Sequence, residues 1–333
     1  MVKNLFNSLI VGLGSIGNRH ARNLITLGYK NISIFRTLKN KTNYPKLKNV
    51  KVFSNFYKAI NSKKYNLTIL ANPTSEHINY AIKVAQKKTN IYIEKPLSHS
   101  FKNIKIFEKL VKKNKTKIMI GCQLRYHPGL IFIKNFLKKN KLGKIFSVTS
   151  DVGEHLPFWH PNEDYKKSYA SKKNLGGGVI LTLVHEIDYL YWLFGEFKSV
   201  YATGGKLTKL KINVEDTVVS NILTKKRVPI SLRMDYWRNP PTRTLNIVGE
   251  KGQIFWNYYK KQTIVIYNNR KKIIKKLPKN WNRNTMFIDI TRDFISNILK
   301  NKKTRIPLKD GIYTLKIALA LKKSLEQSRK ILI

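Results

Sequence analysis

The chain is short of acid and of sulfur. Among its 333 residues, 18 Asp and Glu face 65 Lys and Arg, and Cys122 is the one cysteine. A single thiol closes no intramolecular disulfide and excludes a cysteine-rich metal site. No apolar run reaches the roughly 18 residues that a membrane span requires, so no membrane partner is expected. Internal repeats and low-complexity linkers are also missing. An apolar strand begins within the first ten residues and leaves no room for a signal peptide, so a cytoplasmic protein is expected.

The scarcity of carboxylates leaves a formal charge of +47. Such an excess invites a nucleic-acid reading. The lysines, however, are spread over the whole chain among abundant Asn and Ile, with no basic tail or arginine-rich arm. The expectation is therefore nonspecific attraction to polyanions at low salt rather than a specific nucleic-acid partner. A diffuse positive field also favours anionic substrates. With 42% hydrophobic residues, a chain of this length is expected to form two domains, each burying its own core.

What is present is organised around Ser8–Gly17, SLIVGLGSIG, an apolar run that breaks into Gly12-Leu13-Gly14-Ser15-Ile16-Gly17 and continues as a helix. Each glycine has a task in a dinucleotide fingerprint. Gly12 permits the turn, Gly14 lets a pyrophosphate approach the backbone, and Gly17 lets the helix pack on the strand. The helix N-terminus adds unpaired N–H groups for the phosphates.

A second strand, NISIFR, ends where an acidic side chain normally holds the ribose 2′-hydroxyl of NAD. Arg36 stands there, with Thr37 and Lys39 beside it. Either this cluster pairs with a 2′-phosphate, which favours NADP over NAD, or Arg36 is one more solvated cation. The strand NLTILANPTSEH ends in Asn72-Pro73-Thr74, and parallel sheets bind ligands outside such strand ends. His77, at the next helix start, is a ligand contact or a capping residue. Strand NIYIEK ends in Glu94-Lys95-Pro96, and KIMIGCQLR closes an alternation of strands and helices that predicts a doubly wound parallel sheet over residues 1–122.

From residue 123 the pattern changes. A helix, GLIFIKNFLKKNK, and a strand, KIFSVTSDVG, lead into a long loop rich in aromatics and histidines. A triple glycine then opens a helix read as VILTLVHEIDYLYWLFG. Six strand-like runs and two helices follow, which predicts an α+β domain over 123–333 with a large, mostly antiparallel open sheet. The C-terminal helices are free to pack back on the first domain.

GLGSIG, ANPTSEH, IEKPL and GGG followed by a helix carrying HEID together resemble the glucose-fructose oxidoreductase and inositol dehydrogenase family (Gfo/Idh/MocA). The similarity spans nearly the whole chain and, within the family, is closest to the branch of surface-polysaccharide sugar pathways. It implies an NAD(P)-dependent oxidoreductase of a sugar, cyclitol or nucleotide sugar, with the open sheet forming a homodimer or homotetramer. It also implies that Lys95 is the catalytic lysine and His185 the helix histidine. An ammonium hydrogen-bonds the reacting oxygen, and an imidazole exchanges a proton near neutral pH.

Thr182 stands where the family generally has aspartate. Threonine hydrogen-bonds a hydroxyl but does not act as an acid or base near neutral pH. Either Lys95 and His185 carry the proton transfer unaided, or the protein is a cofactor-binding regulator or scaffold with altered activity. Asp188 either orients His185 or, like Glu186, is a cap or salt-bridge residue. Gln123, Arg125 and Tyr126 are expected to face the site, with Gln123 on the cofactor side, Tyr126 on the substrate side and Arg125 toward an anionic substrate group. Trp159, His160 and Tyr165 stack on a sugar or uracil ring, or simply pack the loop. A metal site from His155, His160 and His185 lacks regular ligand spacing.

Overall fold

The computed structural model describes residues 5–37, 50–159 and 163–333, so that Lys39 and His160 lie outside the described residues. Two units result, one of residues 1–123 with 282–312, the other of 124–281 with 313–333.

The first unit is built on β1 (Ser8–Val11), β2 (Ile32–Phe35), β3 (Lys51–Phe53), β4 (Leu67–Leu70), β5 (Asn90–Ile93) and β6 (Ile118–Ile120). They form one sheet in the order β3-β2-β1-β4-β5-β6, every pair parallel. β1 and β4 are buried along their whole length, as strands covered on both faces must be. Helices α1 (Ser15–Thr26), α2 (Phe56–Asn61), α3 (His77–Gln86) and α4 (Ile104–Lys113) alternate with the strands. The late helix α8 (Arg283–Leu299) returns to this unit. Its Asn284 exchanges side-chain amide bonds with Asn23 of α1 at 2.8 and 3.2 Å, and Ile120 N–H donates to Ile306 O at 3.0 Å.

The second unit begins with α5 (Pro128–Lys138) and β7 (Ile145–Gly153), and the triple glycine leads into α6 (Val179–Thr182) and α7 (His185–Phe194). The strands β8 (Phe197–Gly205), β9 (Thr217–Thr224), β10 (Pro229–Asp235), β11 (Thr242–Gly249), β12 (Gly252–Asn257), β13 (Gln262–Tyr267), β14 (Lys272–Lys276) and β15 (Ile331–Leu332) follow. Nine strands form one sheet, β14-β13-β12-β11-β7-β10-β9-β8-β15, antiparallel throughout except for β7 beside β10. Alternation selects its core face: Ile230, Leu232 and Met234 of β10 are buried, whereas Tyr201, Val219 and Phe255 are exposed by 38 to 41%.

The run Val179–Gly195 was expected as one helix; it breaks after Thr182. The Thr182 hydroxyl bonds back to Gly178 O at 2.8 Å, and Leu183 and Val184 form a turn before α7. A back-bonded threonine competes with helix continuation. Thr182 therefore ends one helix and His185 opens the next.

His127 caps α5, accepting from Gly129 N–H at 3.0 Å, inside a cage of Trp256, Tyr258 and Trp281 with centroids 5.0 to 5.5 Å away. Burial, with the Arg243 charge adding to it, pulls the imidazole pKa down from 6.5 to about 3. The unfolded chain thus takes up a proton below pH 6.5 that the folded chain refuses, and stability falls as pH drops. Between pH 7.5 and 5 this group should remove about 2 kcal/mol. His127→Asn, which keeps a cap acceptor but does not titrate, should show a correspondingly shallower pH dependence of its urea midpoint. An unchanged slope would refute the account.

Candidate functional site

In the first unit, chain reversal after β1 is made by Gly12, whose φ of +98° suits only glycine, and a Cβ there would lie 2.8 Å from Ala71 O. A Cβ on Gly17 would overlap the carbonyl oxygen of Gly12, so helix and turn touch backbone to backbone. Gly14 is the opposite case. It is exposed, and a Cβ would meet nothing within 4 Å. It is also the N-cap residue of α1, whose first turn holds no acid. Open space, unpaired N–H groups and the positive end of the helix coincide at one point, which fits a pyrophosphate. Leu13, Ser15 and Ile16 are half-buried around it.

β2 ends at Phe35, followed by a half-buried Arg36 and an exposed Thr37. Asn72 and Pro73 follow β4 on the accessible side, while Thr74 is 2% and His77 1% exposed. His77 stands between two strand ends, with Nε2 2.9 Å from Asn72 O and Nδ1 2.9 Å from Pro96 O, and the neutral ring donates to one of these carbonyls at a time. Burial holds its pKa below the ordinary histidine value, against the opposing pull of those carbonyls. It thus ties the loops after β4 and β5 together from inside instead of lining them. Lys95, half-buried, is the second residue after β5. Glu94 is 6% exposed, and its Oε1 accepts from His20 Nε2 at 2.7 Å. Gln123 is buried.

In the second unit the glycines are again forced by backbone. A Cβ on Gly177 would lie 2.5 Å from Tyr169 O, and one on Gly178, at φ +102°, would overlap the Glu215 carboxylate. Glu215 also pairs with Lys322 at 3.0 Å and accepts through its main-chain oxygen from Val179 N–H. This anchors the start of α6. At its end, the Thr182 hydroxyl meets Tyr236 OH, and Trp159 lies edge-on to Tyr236 at 5.4 Å. Burial pushes the Tyr236 phenol well above its usual pKa, so it stays a neutral donor and acceptor. Tyr236 was missed by sequence reasoning because it sits in a strand-like run, MDYW; its only signal is a polar tip at a core-facing strand end.

His185 is 4% exposed at the start of α7. Arg125 was expected to face an anionic substrate group, and Asp188 was one candidate for orienting the imidazole. Instead, Arg125 Nε and Nη2 donate to the two oxygens of Asp188 at 2.8 and 2.7 Å, both side chains being 2% exposed. A guanidinium buried this deeply is costly unless it is paired, and Asp188 supplies the counter-charge. Glu186 is fully buried on Arg243 at 2.8 Å, and burial raises its pKa despite that cation. Tyr126 is buried, and Tyr165 is half-buried with its hydroxyl accepting from Lys211 N–H at 3.3 Å. Of the residues expected on the substrate side, the structure brings Trp159 and Thr182 together and turns Arg125 inward.

A parallel sheet in the order 3-2-1-4-5-6 with a glycine turn beside its switch point defines a doubly wound fold of the dinucleotide-binding class. Comparison with known proteins narrows the class. Residues 6–122 match the oxidoreductase family with an NAD-binding Rossmann fold, and residues 131–255 match the GFO/IDH/MocA C-terminal domain. The chain belongs to the GFO/IDH/MocA oxidoreductase family. It is similar to myo-inositol 2-dehydrogenase of Thermotoga maritima, with 22% identity across 97% of each chain. Among solved structures, a levoglucosan dehydrogenase in complex with NADH matches at 18% identity and a TM-score of 0.86, over 98% of this chain and 99% of the other. The WlbA dehydrogenase of Bordetella pertussis, in complex with NADH and UDP-GlcNAcA, matches at 20% identity and a TM-score of 0.82, over 98 and 97%. No helix among the described residues is long and apolar enough to cross a membrane.

Proposed function

We propose that this oxidoreductase interconverts an alcohol and a ketone on a sugar, cyclitol or nucleotide sugar, with Lys95 and His185 managing the proton. Bound nicotinamide supplies the two-electron acceptor or donor. Lys95 stabilises charge on the reacting oxygen, and His185 exchanges the proton. The observation that carries this reading is Lys95 itself, two residues beyond the end of β5 in a parallel sheet of the kind that binds ligands beyond its strand ends. The Thr182 and Tyr236 hydroxyls, bonded to each other and to Gly178 O, brace the turn that precedes His185. The relatives, dehydrogenases by name, give the regulator alternative no support.

Arg36 at the end of β2 supports NADP over NAD. A nucleotide sugar, and a place in surface-polysaccharide precursor synthesis, accords with the basic chain and with the UDP-sugar complex of the WlbA dehydrogenase. The partly exposed Tyr201, Val219 and Phe255 support a homo-oligomer formed through the sheet. A cytoplasmic setting accords with the lone thiol.

Lys95→Ala should lower turnover on the order of a thousandfold while leaving dinucleotide affinity within threefold of the wild type. The assay is a panel of sugars, cyclitols and nucleotide sugars, combined with fluorescence titration by NADH and NADPH. Undiminished turnover would remove Lys95 from the chemistry, and equal affinities for the two dinucleotides would remove the argument from Arg36.

A further inference from the structure

One side-chain bond inside the first unit joins the dinucleotide helix to the Lys95 strand end. His20, on the second turn of α1 and 0% exposed, donates from Nε2 to Glu94 Oε1 at 2.7 Å. Its ring stands edge-on to Tyr92 of β5 at 4.9 Å and to Phe287 of α8 at 6.1 Å. Two aromatic rings thus flank the imidazole that meets Glu94. The other carboxylate oxygen, Oε2, faces Gly121, where a Cβ would stand 3.1 Å from it and 3.1 Å from Glu94 Cα. The carboxylate is thus enclosed between His20 and Gly121.

We propose that His20 and Glu94 form a positioning pair that fixes the backbone carrying Lys95 to the helix whose N-terminus receives the dinucleotide phosphates. The proposal rests on the reading of Lys95 given above. A buried carboxylate is costly unless it is hydrogen-bonded, and an apolar pair would fill the same space at less cost. What the polar pair adds is direction. It holds the end of β5 in one register against α1, so that the phosphates and Lys95 share a common frame, and small misplacements of a reacting group are expensive in rate. Neither side chain needs to touch substrate for this.

The test uses the full chain and four variants, His20→Phe, His20→Gln, Glu94→Gln and Lys95→Ala. Readouts are turnover of whichever panel compound the wild type converts fastest, NADH affinity by fluorescence, and amide exchange of the peptide 91–99. His20→Phe should cut kcat at least tenfold with NADH affinity within threefold, and should speed amide exchange at least fivefold. His20→Gln, which returns an amide donor near the Nε2 position, should restore both to within threefold. Glu94→Gln should show the same split and substitutes for His20→Phe if that variant does not fold. The proposal is overturned if a folded His20→Phe protein keeps wild-type kcat, or if kcat and affinity fall together without rescue by Gln. Turnover surviving in Lys95→Ala would instead overturn the assignment of Lys95. Turnover lost there but kept in His20→Phe overturns the pair alone.

Discussion

Gly17→Ala should both destabilise the first unit and weaken NADH and NADPH binding by roughly a hundredfold, because the helix N-terminus that meets the phosphates is displaced. The added methyl would overlap Gly12 O, a main-chain atom that cannot rotate away. Relief requires α1 to move off the turn by on the order of 1 Å, and overpacking of this kind costs about 1–3 kcal/mol. Gly14→Ala is the control. Its Cβ meets nothing within 4 Å, so its thermal unfolding should match the wild type while its dinucleotide affinity falls. Calorimetry and fluorescence titration of the two variants separate the roles. A Gly17→Ala protein with unchanged melting and affinity would contradict the packing described.

The second large effect is expected at Asp188. Asp188→Asn leaves the Arg125 guanidinium buried without its counter-charge, and breaking a buried pair from one side costs about 3–5 kcal/mol. For a chain of this size the melting temperature should drop by roughly 10 °C. Cation–π contacts of Arg125 with Tyr191 and Trp192, at 6.0 and 5.9 Å, do not replace the lost carboxylate. The double variant Arg125→Met, Asp188→Leu should recover most of the loss, since an apolar pair of similar volume carries no desolvation cost. If the double variant is no better than Asp188→Asn, the loss does not come from an uncompensated charge.

Local pattern made the first sheet legible. Strands such as β1 and β4 are buried, mostly apolar runs, and the spacing Gly12, Gly14, Gly17 states a backbone requirement that neighbouring residues alone display. The site was less legible because its decisive contacts join residues distant in sequence. His20 meets Glu94 across 74 positions and Arg125 meets Asp188 across 63, and no periodicity reports either. Arg125 read as a ligand contact because its position after a strand was visible and its partner was not. Thr182 looked like a lone departure from the family pattern until Tyr236, 54 residues on, supplied the second hydroxyl. β14, with the sequence KIIKK, has two isoleucines side by side and too many lysines to read as a strand; its pairing with β13 makes it one.

The return of α8 to the first sheet sets an order of events during synthesis. Residues up to 123 leave the ribosome well before 282–312, the segment that supplies Asn284 to α1 and Ile306 to β6. Translation of the intervening stretch occupies on the order of tens of seconds. The nascent Rossmann sheet waits through that interval with one flank uncovered, while all but the last strand of the later sheet is synthesised. A stop codon placed just after residue 123 would therefore release a fragment lacking part of its own core.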